Sequence, residues 1–521
     1  MSKNKRVAEA AGFIMICMVI SRILGYVRDV VIYAQFGQNR LTDAYNAAFS
    51  VPDFLYQLLV GGALSSAFIP VFSSYIATDR EEDAWQVASI TFNIIMILMA
   101  IGIGLGVAFA PQLIKILVPG FDAETTKLTI FLTRILFIQV IFMAFSGISM
   151  GILNSYKHFT APAIGSVLYN LGTIVVGYLL SPYIGITAFT VGVIVGAILN
   201  FIYQLPALLE IGMSYRWSLN WRHPGVRRLF SLILPVLVGL SITELNLFVN
   251  QNLASQLSPG IVAALRSGQR LMQLPIGVFA IAIAIAVFPT LTEYAAKNEL
   301  VSFKIAMSEG VRNVVFITLP ASTGLIALGK PLIRLIYEQG KFTPQATEAT
   351  AFALFFYSLG IFAYSAIHVL SRTFYALKDT ITPVIVGSIA MIINIIFSLL
   401  LIGPLKHGGL ALAYSMAGVV NMLVLLGVLR HKIGSINGRV MLISFIKSLI
   451  ASVLMGLVVY SFTMQLEKVL DISSKLNQGL IVMGGIILGV LIYMFLAFIF
   501  QMEEAKTVGK IIKRRLRFKR V

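Results

Sequence analysis

Arginines embedded in apolar sequence are the residues of this chain that could do chemistry. Arg22 and Arg28 fall inside the apolar stretch 12–36, and Asp29 follows the second of them. A guanidinium group presents a planar fork of donors that matches the oxygens of a phosphate. A charge at the bilayer centre costs roughly 2.5–3.5 kcal/mol on insertion scales, so such side chains normally face a polar cavity or a partner. The pattern therefore predicts an anion-binding cavity inside a membrane.

The spacing of these charges on an ideal helix leaves two interpretations open. Arg22 and Arg28 lie about 120° apart, whereas Arg22 and Asp29 are nearly eclipsed. A bend or a close helix approach at Gly25 would let both arginines reach one ligand. Alternatively, Arg22 pairs with Asp29, or Arg28 with Asp43, and these pairs only stabilise the fold.

A second group of polar residues interrupts the apolar stretch 260–295. Arg266 and Arg270 are four residues apart and Gln273 follows, which places all three on one helix face. Together with the first pair they offer four guanidinium groups to an anionic ligand. Arg266 could instead lie near the outer end of its span and extend to the interface. The acidic residues that could lie near the arginines are Asp29, Asp43 and Glu244.

The composition is that of a membrane protein. Of the 521 residues 58% are hydrophobic and 12% are charged, where a soluble domain has about 25% charged residues. The net charge of +18 is explained by basic cytoplasmic loops, so we expect no nucleic-acid binding. Cys17 is the only cysteine and the five histidines form no HxxxH pair, so neither a disulfide framework nor a metal site or cofactor is expected. The apolar N-terminal stretch is predicted to be a retained first span and not a cleaved signal peptide.

Apolar stretches long enough to cross a bilayer recur along the whole chain. They predict fourteen spans, at 12–36, 44–77, 84–111, 128–154, 161–181, 184–209, 226–250, 260–295, 306–329, 346–375, 381–403, 408–430, 440–463 and 477–501. Lys and Arg are concentrated in the two tails and in the even-numbered loops. Both termini are therefore predicted to be cytoplasmic, with the protein in the cytoplasmic membrane.

The second half of the sequence repeats the first at a nearly fixed distance. The segment 70–75, PVFSSY, matches 289–294, PTLTEY, at an offset of 219, and Lys157 matches Lys378 at an offset of 221. Each copy holds six spans, an even number, so both have the same orientation. We expect an all-α polytopic membrane protein with 14 transmembrane helices, in which two parallel six-helix repeats enclose a central cavity. The predicted domains are an N-lobe (1–220), a C-lobe (221–435), two appended helices (436–502) and a basic cytoplasmic tail (503–521).

Three stretches carry a resemblance to a known family. SRILGYVRD at 21–29, TDAYNAAFSVPDFLYQLLVGGALSSAFIPVF at 42–72 and QRLMQLPIGVFAIAIAIAVFP at 269–289 closely resemble the MurJ (MviN) family of lipid II flippases. That family lies within the superfamily of multidrug, oligosaccharidyl-lipid and polysaccharide exporters. The resemblance implies translocation of undecaprenyl-pyrophosphoryl-MurNAc(pentapeptide)-GlcNAc to the outer leaflet by alternating access, for peptidoglycan synthesis.

The resemblance also implies roles for individual residues. Arg22, Arg28 and Arg270 would contact the diphosphate, Asp43 would take part in gating, and the appended helices would form a groove for the lipid tail. From the residues themselves we also expect Arg266 to bind the diphosphate, and Asp29 and Gln273 to take part in gating or ion pairing. Gln273 stands where many members have Glu, and Tyr56-Gln57 where a basic pair is common. Asp379 is a candidate ion site, although a salt-bridged loop acid beside Lys378 is the favoured interpretation.

Three other functions are less consistent with these residues than a lipid II flippase. A flippase for another polyprenyl-linked glycan would share the cavity, whereas a multidrug extruder fits less well because four arginines repel cationic drugs. A membrane enzyme would need an acidic pair or a histidine base with a metal, which the loops do not show, so no catalytic residue is expected. The expected partners are lipid II, membrane lipids and peptidoglycan synthesis proteins around a monomer. Sodium, protons or the membrane potential could drive transport.

Overall fold

The computed structural model describes residues 3–61 and 67–506, with side chains from residue 12 onward except for a few between 234 and 243. All secondary structure in these ranges is helical. The predicted basic cytoplasmic tail (503–521) falls mostly outside them, at 507–521. The helices of the first half are α1 (Lys3–Phe36), α2 (Arg40–Ala48), α3 (Ser50–Tyr56), α4 (Ile69–Ile76), α5 (Glu81–Leu117), α6 (Ala123–Ser155), α7 (Thr160–Ile184) and α8 (Thr187–Glu210).

Further helices follow in the described part of the second half. They are α9 (Pro224–Ser255), α10 (Ile261–Pro275), α11 (Ile281–Ala296), α12 (Leu300–Tyr337), α13 (Pro344–Ser358), α14 (Ile361–Ala376), α15 (Ile381–Leu405), α16 (His407–Ile433), α17 (Gly438–Val469) and α18 (Lys475–Ile499). One π-helical turn (Gln57–Gly61) follows α3, and another (Ile276–Ala280) joins α10 to α11.

The protein is a multi-pass membrane protein by the length and composition of its helices. Among the described residues, ten helices are long and apolar enough to cross a bilayer, and α13 with α14, bent by 45°, would make an eleventh. They correspond to eleven of the fourteen predicted spans. The predicted spans 12–36, 44–77 and 226–250 coincide with α1, with α2 to α4 and with α9, which are not among these candidates. The count of fourteen therefore stays a prediction.

Helices of the two halves correspond at the offset of the sequence repeat. α5 begins at Glu81 and α12 at Leu300, and α7 begins at Thr160 and α15 at Ile381. Residues with a positive backbone φ at helix ends also recur at about this offset. The pairs are Asp79 with Asn298, Lys157 with Lys378, Gly185 with Lys406, and Gly212 with Gly434. The two copies thus share helix ends as well as apolar spans. One difference is that α6 is continuous where its counterpart is broken into α13 and α14.

The described chain divides into two compact units, residues 1–263 with 340–342, and residues 264–339 with 343–521. This division places α9 with the first unit, whereas the repeat predicts a boundary at 220. Units defined by packing need not coincide with units defined by sequence repetition. The domain boundaries at 220, 435 and 502 therefore stay predictions.

In the first unit, small residues let helices approach closely. α7 packs along α8, where an added Cβ on Gly192 would lie 2.6 Å from the Thr173 carbonyl oxygen and one on Gly196 would lie 2.3 Å from that of Tyr169. Inside a bilayer such contact stabilises helix pairs through van der Waals packing.

In the second unit, the last two helices are fixed to α12 near its start. Arg312 of α12 pairs with Glu503 and Glu504, both at 2.7 Å, and Ser444 of α17 donates to Glu504 at 2.9 Å. The Tyr493 hydroxyl of α18 donates to the Phe316 carbonyl at 2.7 Å. The Arg312 side chain is only 12% exposed and is held by two carboxylates.

The other end of α12 is fixed to the same two helices. Arg334 donates to Glu467 of α17 at 2.6 Å. Lys475, the first residue of α18, donates to the carbonyl oxygens of Arg334, Leu335 and Glu338 at 2.9–3.1 Å. These carbonyls lie at the end of α12, where the Arg334 oxygen also accepts the Glu338 backbone amide at 3.2 Å. The ammonium group therefore caps the end of α12. The appended pair is therefore attached to α12 at both ends.

Candidate substrate-binding site

The two arginines in the apolar stretch of α1, Arg22 and Arg28, differ in their surroundings. Arg28 pairs with its neighbour Asp29 at 3.2 Å, and both side chains are 15% exposed. Arg22 is exposed and makes no hydrogen bond or ion pair with the described residues. Arg28 is thus held by Asp29 and not by Asp43. The charge of Arg22 is the less compensated of the two.

At Gly25, α1 packs against α7. An added Cβ would lie 3.7 Å from Oδ1 of Asn170 on α7, which is an ordinary van der Waals distance. The Asn170 amide donates to the Ser21 carbonyl and hydroxyl oxygens, and the Ser21 hydroxyl donates to the Ser166 carbonyl at 3.1 Å. Whether Gly25 allows a bend or a closer approach stays a prediction. The polar cluster fixes α1 against α7 between the two arginines.

Asp43 occupies a position that fits a carboxylate. It lies in the first turn of α2, before the predicted span 44–77, and is 2% exposed. Its two oxygens accept hydrogen bonds from the backbone amides of Gly260, at 2.5 Å, and Ala263, at 2.9 Å. These amides belong to the start of α10, where the helix dipole favours negative charge. Asp43 therefore acts as a distant N-cap for α10.

Burial has a strong effect on this carboxyl group. Desolvation raises the pKa of Asp43 to about 7, although the two backbone hydrogen bonds and Arg40 act in the opposite direction. The group consequently changes charge near neutral pH. Loss of that charge would weaken the contact between α2 and the start of α10.

The second group of candidate residues lies on α10. Arg266 and Gln273 are exposed and Arg270 is half-buried, while Leu271 and Met272 are buried on the other side of the helix. The three polar residues thus share one face, as their spacing predicts. Arg22 and Arg28 belong to the first compact unit, whereas Arg266, Arg270 and Gln273 belong to the second. Convergence of the four guanidinium groups on one ligand stays a prediction.

Asp379 is engaged by neighbouring side chains. It accepts hydrogen bonds from the Thr382 backbone amide, at 2.9 Å, and hydroxyl, at 2.6 Å, and it pairs with Lys432. Burial acts to raise its pKa, but these bonds outweigh burial and hold the pKa at about 2. The salt bridge considered for this loop acid is formed with Lys432 and not with Lys378. Its candidacy as an ion site stays a prediction.

Among the residues that the structure describes, no group of three or more His, Cys, Asp and Glu could hold a metal ion.

Sequence analysis missed the contacts that fix the end of α1. The Lys341 backbone amide donates to the Ala34 carbonyl at 2.7 Å, and Tyr33 packs edge-on against Phe342 at 6.0 Å. Gly340 adopts φ +61, and a Cβ there would lie 2.2 Å from the Ala34 carbonyl oxygen. The only sequence signal was Gly340, which the repeat aligns with Gly120.

Comparison with known proteins decides the family. The sequence pattern of the family described as lipid II flippase MurJ matches residues 32–478. The probable lipid II flippase MurJ of Vibrio cholerae is 32% identical over 433 residues, which cover 81% of this chain and 82% of the relative. This chain belongs to the lipid II flippase MurJ family. The lipid II flippase MurJ of Burkholderia cenocepacia is 28% identical, with 80% and 82% of the two chains covered.

Solved structures agree with membership of the MurJ family. A lipid II flippase MurJ in an inward closed conformation matches with a TM-score of 0.78 and 28% identity, covering 94% of this chain and 98% of that one. An inward-facing MATE family transporter of the MOP superfamily matches with a TM-score of 0.69 over 82% of this chain and 99% of that one. At 15% identity, the second match shows a shared fold alone.

Proposed function

We propose that this protein is a lipid II flippase, a membrane transporter and not an enzyme. It moves the undecaprenyl-diphosphate-linked glycopeptide from the inner to the outer leaflet of the cytoplasmic membrane for peptidoglycan synthesis. The observation that carries the proposal is the family match, which extends from the end of α1 into α18. The arginines on α1 and α10 supply the donors that a diphosphate requires.

The proposed architecture has fourteen transmembrane helices with both termini in the cytoplasm. Residues 1–220 and 221–435 form two six-helix lobes around a cavity, residues 436–502 form the lipid-tail groove, and residues 503–521 form a basic tail. The recurrence of helix ends at the offset of the sequence repeat supports the two lobes. The bonds of α17 and α18 to α12 support a groove that moves with the second lobe.

In the proposed cycle, the diphosphate binds to Arg22, Arg28 and Arg270, with Arg266 beside them. Arg22 has no competing anion among the described residues, so it can contact the diphosphate first. Arg28 must exchange Asp29 for a phosphate oxygen, which ties binding to a rearrangement on α1. The anion then screens the repulsion among the guanidinium groups and lets the lobes rearrange.

Asp43 is the proposed gating residue. Its carboxylate joins α2 to the first turn of α10, the helix that carries Arg266 and Arg270. Rupture of these two hydrogen bonds would free the start of α10. Gln273, on the same helix face, is a proposed polar contact for the substrate.

The driving force is proposed to be a sodium gradient, a proton gradient or the membrane potential. A sodium ion at Asp379 would have to displace the ammonium group of Lys432 and the hydroxyl of Thr382. The proposed cycle therefore does not route sodium through this carboxylate. The transporter is proposed to act as a monomer.

Replacement of a host flippase tests the substrate. In bacteria depleted of their lipid II flippases, expression of this protein should restore growth and peptidoglycan synthesis. A matched strain that lacks a flippase for another polyprenyl-linked glycan should not recover. Recovery of the second strain alone would contradict the proposal and assign the chain to that glycan.

A further inference from the structure

The segment that connects α8 to α9 carries an unusual share of the exposed aromatic surface. The chain has three tryptophans. Trp85 is 8% exposed, whereas Trp217 and Trp221, both in the segment 213–223, are 69% and 63% exposed. We call residues 213–223 the connecting segment.

Hydrogen bonds hold the connecting segment against α5. The Asn93 amide donates to the Ser218 carbonyl at 2.9 Å, and the Tyr215 hydroxyl donates to Asn93 at 2.7 Å. The Arg216 backbone amide donates to the Ser89 hydroxyl at 3.2 Å. Because three separate bonds fix it, the position of the segment along α5 is well defined.

That position lies beside the start of the apolar run of α5. α5 has 37 residues and is therefore about 55 Å long, well beyond the roughly 30 Å of a hydrocarbon core. Its residues from Ile94 to Leu117 are apolar except for Gln112 and Lys115, whereas 81–93 contain three acids and Asn93. Asn93 thus directly precedes an apolar run that is long enough by itself to cross a hydrocarbon core. Tyr215 and Ser218 are bonded to Asn93, and Trp217 lies between them in sequence, so the segment lies beside the start of this run.

The charges around the tryptophans suit an anionic surface. The guanidinium group of Arg222 lies 5.9 Å from the centre of the Trp221 ring. Arg227 and Arg228, in the first turns of α9, are exposed. Residues 213–228 contain four arginines and no acid, and one of the four, Arg216, pairs with Glu82 of α5. Lipid headgroups of the cytoplasmic leaflet carry the complementary negative charge.

We propose that Trp217 and Trp221 insert into the phospholipid headgroup layer of the cytoplasmic leaflet, where they anchor the connection between the two repeats. Tryptophan is enriched at this depth because its ring is apolar and its N–H group bonds to polar headgroups. The neighbouring arginines contact lipid phosphates. A soluble protein partner would also bind exposed aromatics, but a segment at the hydrocarbon edge is covered by lipid first.

Tryptophan fluorescence tests this anchor directly. The intact protein and its Trp217→Phe/Trp221→Phe variant are reconstituted into nanodiscs of phosphatidylcholine with anionic phosphatidylglycerol, with or without lipids brominated near the headgroup end of the acyl chain. The emission of the intact protein minus that of the variant, called the difference emission, reports the surroundings of Trp217 and Trp221 in the connecting segment. The double variant retains only Trp85, which is buried between Phe72 and Tyr156 and serves as the internal control.

We expect brominated lipid to remove most of the difference emission, and acrylamide in the water to quench it weakly. The Trp85 emission should change little with either quencher. If brominated lipid leaves the difference emission unchanged while acrylamide quenches it strongly, both tryptophans face the cytosol. That result would overturn the anchor and leave the surface to a soluble partner. Equal elution volumes of the two proteins in size-exclusion chromatography establish that the variant is folded.

Discussion

Arg28 and Asp29 show how little of a binding site follows from charge alone. Consecutive residues on a helix point about 100° apart, yet the long arginine side chain bends to reach its neighbour. The pair is neutral overall. Among the described side chains of α1, Arg22 is therefore the guanidinium group without a paired acid, and that of Arg28 becomes available by exchange. Spacing on an ideal helix identified both arginines but could not distinguish these roles.

Asp43 is a second residue whose role depends on partners that the sequence does not identify. Its hydrogen-bond donors are two backbone amides from a distant part of the chain, at Gly260 and Ala263. Backbone amides are the same for every residue except proline, so the pattern of residue types cannot reveal them. The resemblance to a family pointed to Asp43, and the structure supplies a physical reason for its position.

The titration of Asp43 predicts a pH dependence of stability. The pKa in the folded protein, about 7, lies above the ordinary value near 3.9 for aspartate. Between these values the folded protein binds the proton more tightly than the unfolded chain, so the free energy of unfolding falls as pH rises. The slope is at most about 1.4 kcal/mol per pH unit.

Asp43→Asn removes the titrating group and should flatten this slope. Thermal unfolding of both proteins in detergent, followed from pH 5 to pH 8, compares them directly. The unfolding temperature of the intact protein should fall relative to that of the variant as pH rises. Parallel curves over the whole range would show that Asp43 does not titrate there.

At the scale of the helix, the sequence was most informative where a span is uniformly apolar. Eleven predicted spans correspond to helices or helix pairs that could cross a membrane. The span 44–77 was predicted as one segment, yet its described parts are α2, α3, a π-helical turn and α4. Hydropathy averages over a window and does not respond to a change in hydrogen-bonding pattern within it.

The attachment of the appended helices to α12 also lay beyond sequence analysis. Arg312 and Glu504 are 192 residues apart along the chain and meet only because α17 and α18 return to α12. Glu504 is 4% exposed, whereas its neighbour Glu503 is 74% exposed. The two acids share one arginine, but Glu504 is buried and also accepts a hydrogen bond from Ser444.

This difference predicts unequal effects of two similar substitutions. Glu504→Ala leaves Arg312 without its buried partner and should lower the free energy of unfolding by about 3–5 kcal/mol. Glu503→Ala removes an exposed partner and should cost about 0–1 kcal/mol. Thermal unfolding in detergent measures both variants, and equal losses would mean that burial of the Glu504 pair contributes nothing to stability.

At the scale of the whole molecule, the repeat was visible in the sequence and extends to the backbone. Pairs of residues with positive φ recur at the offset that the short sequence matches predict. Only some of these residues are glycines. Asp79, Lys157 and Lys378 also adopt a positive φ at their helix ends. A repeat in backbone conformation therefore persists where the residue types have diverged, which is why only short matches appeared in the sequence.

The predicted orientation can be tested with single cysteines. Because Cys17 is the only native cysteine, a Cys17→Ser background allows one probe at a time. Ser473→Cys lies between α17 and α18 and is predicted to face outward, whereas Ser435→Cys lies between α16 and α17 and is predicted to face the cytoplasm. An impermeant maleimide should label the first in intact cells and the second only after lysis. The opposite pattern would invert the topology.

The central claim is that the arginines of α1 and α10 carry the diphosphate of lipid II across the membrane. Its most direct test is the accessibility of lipid II in the outer leaflet of bacteria whose own flippases are depleted and replaced by this protein. Arg270→Ala is compared with Arg430→Ala, an exposed arginine at the end of α16 that makes no ion pair with the described residues. The account predicts that the intact protein and Arg430→Ala export lipid II and that Arg270→Ala, present in the membrane in equal amount, does not. Full export by Arg270→Ala would contradict it.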